Sequence, residues 1–172
     1  MKVVADSSVL IALAVAGKLD LLEKLWKVVF VPRVVESEVL VSGKRGSEQI
    51  ADAFARGWLV VREGNVDRIK ALVRRPVGPG ELACLAVVLA EGADLFLVDD
   101  LAARKAAAEL GIEVVGTVGV LLMAVRHGHL PAEELDGIAR TLLSSGVRLS
   151  ARLVEILRAS ACPLGTEKAG ER

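Results

Sequence analysis

Two rhythms of hydrophobic and polar residues alternate along the chain. Short apolar stretches at residues 2–5, 27–31, 58–62, 94–98 and 113–115 read as strands. Between them, apolar residues recur at helical spacing over 9–16, 18–26, 33–41, 47–56, 65–75, 81–90 and 100–110. The punctuation agrees with this division. Ser7 or Ser8 can cap the first helix, Pro32 suits the first turn of the helix at 33–41, and residues 42–46 and 76–80 are polar or Pro-Gly breaks. From residue 118 the pattern is helical only, over 118–127, 132–144 and 150–159. Strands alternating with helices predict an α/β fold: a three-layer α/β/α sandwich around a central parallel sheet of about four or five strands, with C-terminal helices added.

Against this pattern, five acidic residues stand out. Asp6 directly follows the first strand, and Asp99 and Asp100 follow the strand at 94–98. Ligands of open α/β sheets bind at the carboxyl ends of strands, although turns there also favour Asp as a helix cap. Two glutamates change the picture. At 100° per residue, Glu38 shares an arc with Val34, Val35, Val39 and Val41, and Glu81 shares one with Leu82, Leu85, Val88 and Leu89. A carboxylate on a core-facing stripe is costly without a partner. Lysine or arginine could serve, but the basic residues lie on the polar stripes, whereas a divalent cation satisfies several carboxylates together. Oxygen ligands with few histidines point to Mg²⁺ or Mn²⁺. One or two such ions could activate water and offset charge on a phosphate, with no nucleophilic side chain required.

Composition removes other classes. Aromatic residues make up 3% of the chain and Tyr is absent, which argues against a base-stacking platform. With 22 basic and 22 acidic residues the formal net charge is zero, so any basic surface is local. Cys84 and Cys162 cannot make a zinc site between them, and Cys84 reads as a core residue. The opening MKVVADSSVL lacks the long apolar stretch of a signal peptide, and no run reaches the length of a membrane span, so the expected location is cytoplasmic. His127 and His129 read as a polar helix end, and residues 116–119 are too poor in glycine for a nucleotide loop.

The runs VVADSSVLIALAVAGKLDLLEKL, VPRVVESEVL and GPGELACLAVVLAEGADLFLVDDLAARKAAAELGIEVVGTVGVLL resemble the PIN-domain nucleases, in particular the toxin-like (VapC-like) branch of predicted nucleic-acid-binding proteins. The resemblance spans residues 2–130 and reappears in GVRLSARLVEIL. The helical pattern beyond residue 130 reads as an extension over 131–160 packed on the same domain, with a disordered tail over 161–172, while the resemblance implies a PIN-like nuclease domain over 1–130. It also implies a metal-dependent endoribonuclease that uses Mg²⁺ or Mn²⁺, the toxin of a toxin–antitoxin pair with an antitoxin partner, and a homodimer. By the same resemblance, Asp6, Glu38, Glu81, Asp99 and Asp100 would be the catalytic acids, with Asp6, Glu81, Asp99 and Asp100 on the metal. Whether Asp99, Asp100 or both bind it stays open, and Ser8 or Ser7 would orient Asp6. Relatives place Thr or Ser two residues before the last Asp, where this chain has Val98.

Arg74, Arg75, Arg104 and Lys105 are candidates for an RNA-gripping rim, alongside Lys44 and Arg45. Two other readings compete with the nuclease. One is a catalytically inactive interaction module on the same fold, for protein or RNA, with the acids acting as caps and ion pairs. The other is a phosphotransferase with Asp6 as nucleophile, which usually needs a second Asp where this chain has Ser8.

Overall fold

The computed structural model describes residues 1–161. In chain order the elements are β1 (Val3–Ala5), α1 (Ser7–Val15), α2 (Asp20–Trp26), β2 (Val29–Pro32), α3 (Arg33–Val39), α4 (Ser47–Ala55) and β3 (Leu59–Arg62). These are followed by α5 (Val66–Leu72), α6 (Pro79–Glu91), β4 (Leu95–Leu97), α7 (Leu101–Glu109), β5 (Val114–Val115) and α8 (Thr117–Arg126). A 3-10 turn (Ala132–Glu134), α9 (Leu135–Ser144) and α10 (Ala151–Ala161) complete the described chain. Of the tail expected from residue 161, Ala161 ends α10, and the remainder lies outside the described residues.

All five strands are parallel, in the order β3-β2-β1-β4-β5. Every residue of β1 and β4 is buried, as expected for central strands covered on both faces. The α5, α6 and α7 helices pack together on one side, α6 lying over β1, β2 and β4. On the other side α1 packs against α3, α4, α8 and α9, and α2 against α8. This is the α/β/α sandwich that the sequence pattern predicts. Residues Ala83–Val88 of α6 are all buried, which explains a helix apolar on nearly every side. Leu10, Leu13, Leu85 and Leu121 are among the largest enclosed side chains of the core, each contributing about 1.5–3 kcal/mol by burial. Leu135, Ala139, Leu142 and Leu157 from the last helices join the same buried cluster. Among the described residues no helix is long and apolar enough to cross a membrane.

Several boundaries differ from expectation for identifiable reasons. The first helix begins at Ser7, and its cap is Asp6 rather than a serine, because the Asp6 carboxylate accepts the N–H of Ser8. The third helix stops at Val39, which leaves Val41 outside it and 45% exposed. Residues 73–78 are irregular, so Arg74 and Arg75 lie in the loop before α6. The segment from residue 132 starts as a 3-10 turn before continuing as α9.

The strand order positions the site. β1 is followed by β2 on one flank and pairs with β4 on the other, so the direction of winding reverses between β1 and β4. In open α/β sheets the cleft outside the strand ends at such a reversal is where ligands bind.

Candidate metal and active site

Asp6 sits at this reversal, 3% exposed, immediately after β1. Its N–H donates to the carbonyl of Leu97 in β4 (2.9 Å), and Oδ2 accepts from the N–H of Ser8 (3.1 Å). Asp100 occupies the equivalent place after β4, capping α7 through Oδ1, which accepts from the N–H of Ala103 (2.8 Å). Each cap uses one carboxylate oxygen. Asp6 Oδ1 and Asp100 Oδ2 accept no hydrogen bond among the described residues.

Glu38 and Glu81 arrive from two helices that touch at this end of the sheet, α3 and α6. The contact is close at Gly80, where a Cβ would stand 3.3 and 3.4 Å from the two carboxylate oxygens of Glu38. Gly80 therefore lets the Glu38 carboxylate lie against the first turn of α6, next to Glu81. The expected apolar arcs need adjusting. Val35 and Val39 are buried while Val34 is 36% exposed, so half-buried Glu38 marks the edge of its stripe rather than the middle. On α6, Leu85 and Val88 are buried, but Leu89 faces outward and Leu82 and Glu81 are half-buried.

The Glu81 carboxyl is held above its ordinary range. Burial is the main cause, followed by the negative charges of Asp6, Asp100 and Glu38, while a hydrogen bond from its own backbone pulls the other way. Cys84, one turn below, lies under the same acids with Sγ 3.7 Å from the carbonyl of Ala5. Burial above all, then Asp6, Glu81 and Glu38, pushes its thiol well up, so it is a protonated core residue. The charges of Asp6, Asp100 and Glu38 thus all bear on Glu81.

Asp99 is directed elsewhere. Its Oδ1 accepts from the N–H of Thr117 (2.8 Å) and its Oδ2 from the Thr117 hydroxyl (2.5 Å). Ser8 receives the N–H of Asp99 on Oγ (3.3 Å), whereas half-buried Ser7 makes no side-chain hydrogen bond among the described residues. The basic candidates also divide. Arg104 Nη1 donates to the carbonyl of Val98 (2.9 Å) and braces the β4–α7 turn. Arg75 and Lys105 line a shallow cleft with Pro76, Leu101 and Asp100, although Arg75 is paired to Glu109 (2.7 Å). Arg74 lines a neighbouring cleft against α7. Lys44 reaches the Glu38 backbone carbonyl (3.4 Å), not its carboxylate. His127 and His129 are exposed and stacked at the end of α8, away from the acids' strand ends.

No ion pair among the described residues involves Asp6, Glu38, Glu81, Asp99 or Asp100. Four carboxylates without a paired cationic side chain are a donor set suited to a hard divalent ion. As the side chains stand, no three metal-binding groups among the described residues have closed to the spacing that holds an ion. The uncapped oxygens would have to converge for one to bind.

Sequence reasoning did not single out Gly80, Gly116 or Thr117. A hydroxyl residue following a glycine at a strand-to-helix turn was visible in residues 116–117, but nothing in the sequence tied it to Asp99. Compared with known proteins, residues 2–161 match the family model described as DUF3368, a PIN domain. No curated protein matches the chain.

Proposed function

The chain belongs to the PIN-domain family, whose members are generally nucleases that use divalent metals, and from that premise we propose a metal-dependent endoribonuclease. One observation carries the reading: burial and the charges of Asp6, Asp100 and Glu38 hold the Glu81 carboxyl above its ordinary range at the sheet's reversal point, and among the described residues no Lys or Arg pairs with any of the four. A structural role alone would favour a built-in counter-charge, since an unpaired, partly buried carboxylate is destabilising.

In this reading Asp6, Glu81 and Asp100 would hold Mg²⁺ or Mn²⁺, with Glu38 beside them. Such an ion would supply Lewis acidity toward water and toward the negative charge of a phosphodiester. The protein's own part is placement. Capping bonds fix one oxygen of Asp6 and of Asp100 and leave the other for the ligand. Glu81, whose carboxyl is held above its ordinary range mainly by burial, would be a further oxygen ligand for the ion. Lys105 and Arg74 are exposed at the rim and would meet backbone phosphates of single-stranded RNA. The resemblance supports a toxin role with an antitoxin and a homodimeric state, and that role predicts a short reading frame for a partner protein beside this one.

The test is cleavage of a mixed-sequence single-stranded RNA with Mg²⁺ or Mn²⁺, against the same reaction in excess chelator and with the Asp6→Asn and Asp100→Asn variants. Cleavage that needs the ion and is lost in both folded variants supports the reading. Cleavage that persists in chelator, or in both variants, overturns it. A second reading, an inactive PIN-like interaction module, is favoured by the capping bonds of Asp6 and Asp100 and by the acids standing apart from ion-holding distance. It predicts no heat of Mn²⁺ binding and no rise in melting temperature with the metal.

A further inference from the structure

Asp99 adjoins the acid set in sequence, yet both of its carboxylate oxygens are taken by Thr117. The turn after β4 is extended at Asp100 (φ −62°, ψ 129°), so neighbouring side chains project to opposite sides. Asp100 is left with the acids, and Asp99 is turned onto the start of α8. That helix begins at Gly116, whose missing side chain cannot cap it. Asp99 supplies the cap from another element, taking both the N–H and the hydroxyl of wholly buried Thr117. A carboxylate at the N-terminus of a ten-residue helix is stabilised by the free N–H groups and the helix dipole. Its charge is therefore offset within the fold.

The approach depends on Gly116, because a Cβ there would stand 2.6 Å from Asp99 Oδ1 and 3.1 Å from Arg104 Nη1. From Asp99 the hydrogen bonds continue. Its N–H donates to Ser8 Oγ, and the N–H of Ser8 donates to Asp6 Oδ2. Thr117, Asp99, Ser8 and Asp6 thus make one unbroken chain across the ends of β5, β4 and β1, and Asp100 is attached to it through the peptide after Asp99.

We propose that Thr117 is a positioning residue for the acid set: through Asp99 and Ser8 it fixes the direction of Asp100 and Asp6. The role matters because an ion would need the free oxygens of those acids held in defined directions. It rests on the reading of Asp6, Glu38, Glu81 and Asp100 as an ion-holding group. Residues behind a metal's direct ligands typically change its affinity 10–100-fold when altered.

Three variants of the full chain test this: Thr117→Val, which keeps the shape and removes the donor hydroxyl; Thr117→Ser, which restores it; and Ser8→Ala, which breaks the chain at its next link. In metal-free protein, amide hydrogen exchange at Asp99 and Ala103 is expected to speed up in Thr117→Val and Ser8→Ala and to return towards wild type in Thr117→Ser. By calorimetry with Mn²⁺ alone, the first and third variants bind about 10–100-fold more weakly than wild type and Thr117→Ser binds within a fewfold of it. A pure helix cap would lower the melting temperature and leave Mn²⁺ affinity intact, and that result overturns the proposal while sparing the ion site. Wild-type protein that binds no Mn²⁺ overturns both the ion site and the positioning role. Should Thr117→Val fail to fold, Ser8→Ala decides the matter: wild-type Mn²⁺ affinity there sinks the proposal, and a loss of 10-fold or more upholds it.

Discussion

Two groups of carboxylates in this molecule meet opposite fates. On α9, Asp136 lies between Arg140, one turn along the same helix (3.0 Å), and Arg158 from α10 (3.2 Å). Around the reversal between β1 and β4, the charges of Asp6, Asp100 and Glu38 bear on Glu81, and none of the four has a basic side chain within ion-pair reach among the described residues. The chain does not lack cations, since its acidic and basic residues are equal in number. It distributes them elsewhere. At Asp136 the fold supplies the counter-charge; at the reversal point it gives Asp6 and Asp100 backbone N–H groups alone.

That contrast can be broken most sharply at the reversal point, where the largest effect is expected. Asp6→Asn or Asp100→Asn lowers phosphodiester cleavage by roughly 100-fold or more, with circular dichroism unchanged. Retained activity in both would erase the distinction between the two groups of acids.

Gly80→Ala comes next. Its new methyl meets the Glu38 oxygens at 3.3–3.4 Å, so Glu38 must shift. Mn²⁺ affinity or cleavage is expected to fall on the order of tenfold, with a small change in melting temperature because the position lies in a helix. Equal activity would mean that Glu38 is not part of the working set.

The pH response sharpens the comparison. A carboxyl raised in the folded state favours the protonated form there, so Glu81 costs the metal-free protein stability as pH climbs from the ordinary carboxylate range through its raised value. Below that window the cost is absent. Glu81→Gln should remove this contribution, which urea denaturation across pH 4–7 would reveal (roughly the titration range of carboxylates). The opposite sign holds for the ion: Mn²⁺ affinity falls as acidification protonates Glu81, and calorimetry in buffers of different ionisation heat should show proton release on binding. Affinity that does not vary through that window would remove Glu81 from the ion's ligands.

The smallest effect belongs to the paired group. Asp136→Asn removes partly exposed ion pairs worth at most about 1 kcal/mol together, and should leave Mn²⁺ binding and cleavage as they were. A marked loss of either would show that the C-terminal helices contribute to the site.

Much of the architecture was legible because it follows from periodicity. The strand segments at 2–5, 27–31, 58–62, 94–98 and 113–115 all appear within two residues of their predicted ends, and the helices that follow are present. Errors cluster where two local solutions compete. Asp6 and Ser7 can both cap a helix, and the backbone angles after β1 choose Asp6. The candidate acids were legible by type and place, at strand ends and beside apolar stripes, but their partners were not. Arg104, a candidate for an RNA-facing rim, donates to the carbonyl of Val98, and Arg75 is paired with Glu109. Spacing along a helix shows which face a side chain occupies; it does not show what stands opposite.

By itself the sequence determined the parallel α/β class, the segments that form it and the unusual positions of Asp6, Glu38 and Glu81, because each depends on a repeat of two or 3.6 residues and on turn chemistry a few residues long. Only the tertiary structure decided that β4 lies beside β1, which brings Asp100 to Asp6 across more than half the chain. It alone separated Asp99 from Asp100, and it alone set Gly80 against Glu38 and Thr117 against Asp99. These are contacts between residues distant in sequence, selected by how the whole core packs, and no local pattern encodes them.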